Sequence, residues 1–172
     1  MRKVLVVVDY QNDFVDGALG FEGAADIEDK IVELIQEFKA NGDLVAFTKD
    51  THDASYMNTV EGKNLPIPHC IKGTHGHELR EAVDDEKEYL PVFEKATFPS
   101  LDLANFLRGT GADEVYLCGL VSDICVFRNA IMAKAALPNS EIYVIRDATD
   151  SNDRQMQEKS FEMLKHLHIK VI

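Results

Sequence analysis

The chain has 172 residues, with 18 Lys and Arg against 30 Asp and Glu, a formal net charge of −12. Hydrophobic residues make up 45% and charged residues 28%, which excludes a disordered or fibrous chain and makes one domain over residues 1–172 the expectation. The acidic balance excludes general nucleic-acid binding, which needs a basic face, and no apolar run approaches the roughly 20 residues of a membrane span.

Residues 4–8 are a continuous apolar, β-branched run, the mark of a strand buried on both faces. Arg2 and Lys3 mimic the start of a signal peptide, but the apolar run is too short for one, so the expected location is cytoplasmic. Residues 26–38 carry Ile27, Ile31, Leu34, Ile35 and Phe38 at helical spacing, with Asp26 as N-cap and Asn41-Gly42 as the stop. Residues 44–48 form a second strand. Residues 51–74, with Pro66 and Pro68, are expected to be a long irregular loop, a kind that is often functional.

A short helix over 78–83 and a third strand over 89–93 follow. Ser100 caps a helix that runs to Leu107 and ends at Gly109. Residues 114–120 are a fourth strand, and 123–137 a helix stopped by Pro138. Residues 141–146 are a fifth strand, 153–167 the last helix and 169–172 a final strand. Strands separated by helices require crossovers, so the predicted fold is α/β: a three-layer αβα sandwich around a six-stranded, mostly parallel, Rossmann-like sheet.

Ligands bind beyond the carboxyl ends of parallel strands. Asp9-Tyr10-Gln11-Asn12-Asp13-Phe14 follows the first strand and Lys49-Asp50-Thr51-His52-Asp53 the second. Glu94-Lys95 follows the third, and Gly119-Leu120-Val121-Ser122-Asp123-Ile124-Cys125 spans the end of the fourth. Cys125 falls in the first turn of a helix, where the dipole and free N–H groups favour a thiolate and an oxyanion; a buried structural cysteine is the plainer alternative. Asp9 ends an apolar strand, so desolvation raises its pKa and suits it as a base, or it is a cap or ion-pair partner. Lys95 is either its partner or a surface lysine.

Asp50 and His52 lie two apart in an extended segment and so point the same way. With His69 they offer a two-His, one-carboxylate metal site; capped loop histidines are the alternative. His75 and His77 are nearby alternatives as ligands but precede a short helix and are expected to face solvent, and His166 and His168 sit at a helix end without a catalytic role. The acidic runs 81–87 and 147–153 read as solvated surface. The three cysteines include no Cys-x-x-Cys pair and read as free thiols; Cys118 is core and Cys70 is ambiguous.

Five pieces, in this order, resemble the isochorismatase-like cysteine hydrolases, and among them the nicotinamidases and pyrazinamidases. They are Val8-Asp9-Tyr10-Gln11-Asn12-Asp13-Phe14, Thr48-Lys49-Asp50-Thr51-His52, Pro68-His69-Cys70-Ile71-Lys72-Gly73-Thr74, Glu94-Lys95 and Gly119-Leu120-Val121-Ser122-Asp123-Ile124-Cys125-Val126. The resemblance implies a triad of Asp9 as base, Lys95 as orienting charge and Cys125 as nucleophile. It implies an oxyanion hole from the N–H groups of Val121 and Cys125, and a cis peptide between Leu120 and Val121. It places Phe14, Phe98 and Leu120 against the substrate. It implies a divalent metal (zinc, with iron or manganese as alternatives) on Asp50, His52 and His69.

Many relatives carry another His between the second and last ligands. This chain has none there, and Glu61 is the expected substitute. The aromatic residue that usually precedes the final His is also missing. The implied activity is hydrolysis of nicotinamide to nicotinate and ammonia by a homo-oligomer with a small-molecule amide as its only partner. A metal-free hydrolase acting on a ureido, carbamoyl or other small carboxamide, and a catalytically silent α/β binding module, are the competing readings.

Overall fold

The computed structural model describes residues Met1–Ile172. The apolar run near the start forms β1 (Lys3–Val8), followed by a short α1 (Asn12–Val15) and by α2 (Glu28–Ala40). Then come β2 (Leu44–Asp50), α3 (Val60–Asn64), α4 (Glu81–Lys87), β3 (Val92–Lys95) and α5 (Leu101–Thr110). The chain continues through β4 (Glu114–Leu120), α6 (Phe127–Ala136), β5 (Glu141–Asp150), α7 (Arg154–His166) and β6 (Lys170–Val171). No helix is long and apolar enough to cross a membrane.

The six strands form one sheet in the order β3-β2-β1-β4-β5-β6, and every neighbouring pair is parallel. Successive residues of a strand point to opposite faces, and β1 divides its side chains accordingly. Leu5 and Val7 pack with Ile31, Leu34, Ile35 and Phe38 of α2 and Val83 of α4. Val4, Val6 and Val8 pack with Leu103 and Leu107 of α5, Ala130 and Ala133 of α6, and Phe161 and Leu164 of α7. Burial on both faces is why β1 lacks polar alternation, and it produces the expected αβα sandwich.

Chain direction across the sheet reverses between β1 and β4. Segments leaving those two central strands diverge to opposite sides, opening a crevice at their carboxyl ends. The approach there is close. A Cβ built on Gly119 would lie 2.0 Å from the Val8 carbonyl oxygen, and Gly119 has φ +106°. The Thr149 hydroxyl donates to the Gly119 carbonyl at 2.7 Å, and the register between β4 and β5 shifts just before it.

Several element ends differ from those predicted. Helix α2 starts at Glu28 after Ile27, so Asp26 is not its cap. Helix α5 ends on Gly111 in the left-handed region (φ +59°), not on Gly109; a glycine adopts that conformation without a steric penalty. Helix α4 begins three residues later than expected, and β5 runs on to Asp150. Strand β3 begins after Pro91 and includes Lys95, so this lysine lies within the strand and not beyond it. The 51–74 segment is not wholly irregular: it holds a single 3-10 turn at Tyr56–Asn58, and then α3.

Ser100 does cap α5, accepting from the Leu103 N–H at 3.1 Å. Its own N–H donates to Asn129 Oδ1 at 3.0 Å, and Asn129 Nδ2 donates to the Cys125 carbonyl at 2.9 Å. Ser100→Ala should therefore lower stability by about 1 kcal/mol. A urea midpoint that falls while the slope stays fixed would be the expected result.

Candidate active site

Four strand ends meet at the crevice. Asp9 follows β1 with φ +46°, which turns the chain out of the sheet and leaves the carboxylate fully buried. Its Oδ1 accepts from the Thr48 hydroxyl at 2.6 Å, and its Oδ2 lies 2.5 Å from Lys95 Nζ. Lys95 Nζ also lies 3.8 Å from Cys125 Sγ and 3.6 Å from Asp50 Oδ1. The lysine thus stands between the three other groups, and all are nearly or wholly shielded from solvent. The structure brings together Asp9, Lys95 and Cys125, from three separate strand ends.

Burial sets the proton distribution. Desolvation raises the Asp9 carboxyl above the usual range although the Lys95 charge opposes it, which makes Asp9 a better proton acceptor than an exposed carboxylate. Burial acts to lower the Lys95 ammonium, but the Asp9, Cys125 and Asp50 charges outweigh it, and Lys95 is held protonated. Burial pushes the Cys125 thiol well up, with only Lys95 opposing it. The expectation of a thiolate favoured by a helix start is therefore corrected.

The local backbone also differs from the expected one. Cys125 lies not in the first turn of a long helix but in a wide turn, Ser122–Val126, that precedes α6. The Val126 N–H bonds the Val121 carbonyl five residues back at 3.2 Å, a π-type geometry common at functional sites. The Leu120–Val121 peptide is cis, as the resemblance implied. Ser122 is anchored from behind: its hydroxyl accepts from Gln157 Nε2 at 3.0 Å, and the same amide reaches Asp150 Oδ1 at 3.2 Å. Asp150, expected on a solvated run, is instead buried and also pairs with Arg154.

Beside the triad, Asp50, His52, Glu61 and His69 converge, with one donor atom from each lying within 4.8 Å of the others. Asp50 Oδ2 is 3.0 Å from His52 Nε2 and 3.2 Å from His69 Nε2. Glu61 Oε1 is 3.6 Å from His52 Nε2 and 3.5 Å from His69 Nε2. Bonds of about 2.1 Å to a tetrahedral or octahedral cation put adjacent donors roughly 3.0–3.4 Å apart; the Asp50–histidine pairs match this, and the Glu61 pairs lie slightly wider.

The surroundings fit as well. His69 Nδ1–H donates to the Ile67 carbonyl at 2.8 Å, leaving Nε2 as the ligand face, the usual outer support of a metal-binding histidine. Burial and the Asp50 charge push the Glu61 carboxyl up, the mark of a cluster short of positive charge. Burial alone would raise Asp50, but hydrogen bonds with His52 and His69 and the Lys95 charge hold it below the ordinary range. Asp50 thus faces both groups, Oδ2 toward the histidines and Oδ1 toward Lys95.

Both sets border one cavity of about 200 Å³, lined among others by Phe14, Leu65, Phe98, Val121, Ile124 and Asn152, with Asp50, Glu61, His69 and Cys125 contributing polar groups. That volume is below the roughly 300–1,000 Å³ of sites for drug-sized ligands, so it suits a small molecule. Phe14 and Phe98 line this cavity. Leu120 does not: its side chain is wholly buried with Leu5 and Val7, on the α2 side of the sheet.

Sequence reasoning missed other contributors. Tyr56 packs edge-on against both His52 and His69, with ring centroids 4.7 and 5.0 Å apart. Leu19 and Phe21, from the segment after α1, close one side of the cavity. His77 is buried, not solvent-facing, with its Nε2 2.9 Å from the Thr51 hydroxyl. Nothing in spacing or composition marks these residues, because loops with no periodicity bring them in. Cys70 is likewise buried; its N–H donates to Asp13 Oδ2 at 2.7 Å, fixing the backbone next to His69. All three cysteines are free thiols.

Known proteins resemble this chain in sequence and in fold. A nicotinamidase of Acinetobacter baylyi is 31% identical over 180 residues, covering 87% of this chain and 81% of the relative. The crystal structure of a nicotinamidase from Bacillus subtilis superposes with a TM-score of 0.88 at 33% identity, covering 99% of each chain. That of a pyrazinamidase from Pyrococcus horikoshii in complex with zinc gives a TM-score of 0.85 at 31% identity, over 100% of this chain and 99% of that one. The family description Isochorismatase domain matches residues 3–172, and the chain belongs to the isochorismatase family.

Proposed function

We propose that this amidohydrolase converts nicotinamide to nicotinate and ammonia through a thioester on Cys125. One observation carries the reading: Cys125, backed by the buried Lys95–Asp9 pair, and three of the four metal-ligating residues, Asp50, Glu61 and His69, line the same small, mostly apolar cavity. The donor set disfavours the metal-free alternative. A buried ion pair is costly to desolvate and adds little stability, which disfavours a silent binding module.

In this reading Cys125 Sγ forms a bond to the carboxamide carbon as its proton passes to Asp9, whose raised pKa suits it to receive it. Lys95 keeps its charge throughout and balances the carboxylate and the departing thiolate. The developing oxyanion faces the N–H groups of Val121 and Cys125. Asp9 returns the proton to the leaving nitrogen, the carbon–nitrogen bond breaks and ammonia departs. Water, giving a proton to Asp9, then adds to the thioester carbon; the carbon–sulfur bond breaks, Asp9 returns that proton to Cys125 Sγ, and the acid product loses its own proton to solvent as nicotinate. Asp50, His52, Glu61 and His69 would hold a divalent metal ion, which when bound supplies a Lewis-acid contact for the ring nitrogen of the substrate. Phe14 and Phe98 pack against the ring.

The test is ammonia release from nicotinamide by purified protein, beside a chelated sample. Activity that chelation removes and zinc, iron or manganese restores is expected. No release from nicotinamide with any of these ions would transfer the proposal to a ureido or carbamoyl substrate. His52→Ala should weaken metal binding by about 100-fold or more, since a first ligand matters at least as much as the outer groups that support it. Full metal occupancy in that variant, measured by elemental analysis after dialysis, would remove His52 from the ligand set.

A further inference from the structure

Gln11 is fully buried, two residues beyond Asp9, and its side chain makes three hydrogen bonds, all to backbone. Its Oε1 accepts from the Asp50 N–H at 2.7 Å. Its Nε2 donates to the Asp50 carbonyl at 2.8 Å and to the His77 carbonyl at 2.8 Å.

The sheet register explains why those groups need a partner. The Asp9 N–H still donates to the Thr48 carbonyl at 3.2 Å, as the β1–β2 ladder requires. In a parallel ladder the next two rungs would run from the Asp50 N–H to the Asp9 carbonyl and from the Gln11 N–H to the Asp50 carbonyl. Neither forms. The backbone turns at Asp9, and the Gln11 N–H instead donates to the Asp9 carbonyl at 2.8 Å. The Gln11 side-chain amide, which has the same donor–acceptor pair as a peptide, takes up both vacated rungs on Asp50.

We infer that Gln11 is a positioning residue that completes the sheet in place of the missing β1 backbone. It lets Asp9 leave the ladder to face Lys95 while Asp50 stays in strand register facing His52 and His69. A single amide thereby sets the distance between the proton acceptor and the metal-ligating carboxylate. Its third bond ties the 75–77 turn to the same point. This inference rests on the metal-site reading above.

Gln11→Glu keeps the shape but puts an oxygen where two carbonyls need a donor. Gln11→Met removes the amide at similar volume and serves as the second variant if the first folds poorly. Ile142→Val, in the core far from the site, is the destabilised control. Zinc affinity of stripped protein is measured by competition with a chromophoric chelator, beside thermal melting without zinc and ammonia kinetics. Both Gln11 variants should lose zinc affinity by about tenfold or more, in the range found for groups that orient metal ligands, and kcat should fall with it. The control should melt earlier with unchanged zinc affinity and kcat. Gln11 variants that melt earlier yet hold zinc within about twofold of the parent would overturn the positioning role, since a merely structural amide would behave so. If the parent itself binds no zinc, the metal reading fails. The Gln11 role is then decided by kcat: a loss beyond that of Ile142→Val supports it, and a parental kcat overturns it.

Discussion

Cys125→Ala is expected to lower amide turnover by on the order of 10⁴-fold or more, because a nucleophile acts as one unit with its base and its loss removes their joint contribution. The geometry makes the expectation specific. Lys95 and Asp9 remain paired at 2.5 Å without the thiol, and the variant removes one small buried atom, so the melting temperature should change little. Cys125→Ser should be almost as inactive, because the serine hydroxyl is much harder to deprotonate than a thiol and Asp9 is only a carboxylate base. Ammonia release measured at saturating substrate, together with a thermal melt, checks both halves. Residual turnover above about 1% of the parent would take the nucleophile role away from Cys125.

Gly119→Ala is expected to cause the largest loss of stability, roughly 2–6 kcal/mol from a strained φ and an overpacked contact acting together. Its added Cβ would meet the Val8 carbonyl oxygen at 2.0 Å and the Val8 nitrogen and carbonyl carbon at 2.8 Å. These are backbone atoms of a central strand buried on both faces, so no side-chain rotamer can relieve the clash. Since folded domains keep only about 5–15 kcal/mol, much of the variant should unfold at moderate urea. Gly109→Ala is the counterpart. It lies inside α5 with nothing within 4 Å of the built Cβ, and should add about 0.5–1 kcal/mol. A urea midpoint for Gly119→Ala equal to the parent would show that β1 and β4 are not held as closely as described.

The elements bearing the fold were legible because their signals are local. The run from Val4 to Val8 could only be a strand covered on both faces, and the Ile31, Leu34, Ile35 and Phe38 spacing only a helix with one buried side; both lie as expected. Element ends were less legible. Gly111 and not Gly109 stops α5, since the residue needed is the one at positive φ, and sequence does not reveal which glycine adopts it. Leu120 looked like a wall of the site by its place in the motif. Strand alternation turns its side chain into the core instead.

Composition, periodicity and the order of polar residues after each strand determined the αβα class, the crevice and the candidates at its edge. Each depends on residues close in the chain, whose spacing fixes which way they point. The resemblance to a known family, not spacing, grouped those candidates into a triad and a ligand set. Only the tertiary structure decided the rest. Pairing β2 with both β1 and β3 places Asp9 against Lys95, and pairing β1 with β4 brings the Cys125 turn beside them. Helix α3 carries Glu61 to the histidines, and the turn ahead of it sets Tyr56 edge-on against them. Burial, a property of the packed whole, raises the Cys125 thiol that a helix start alone would have lowered. Contacts between segments far apart in the chain have no periodicity of their own, and the proton balance of a buried group depends on every charge and dipole that folding brings around it.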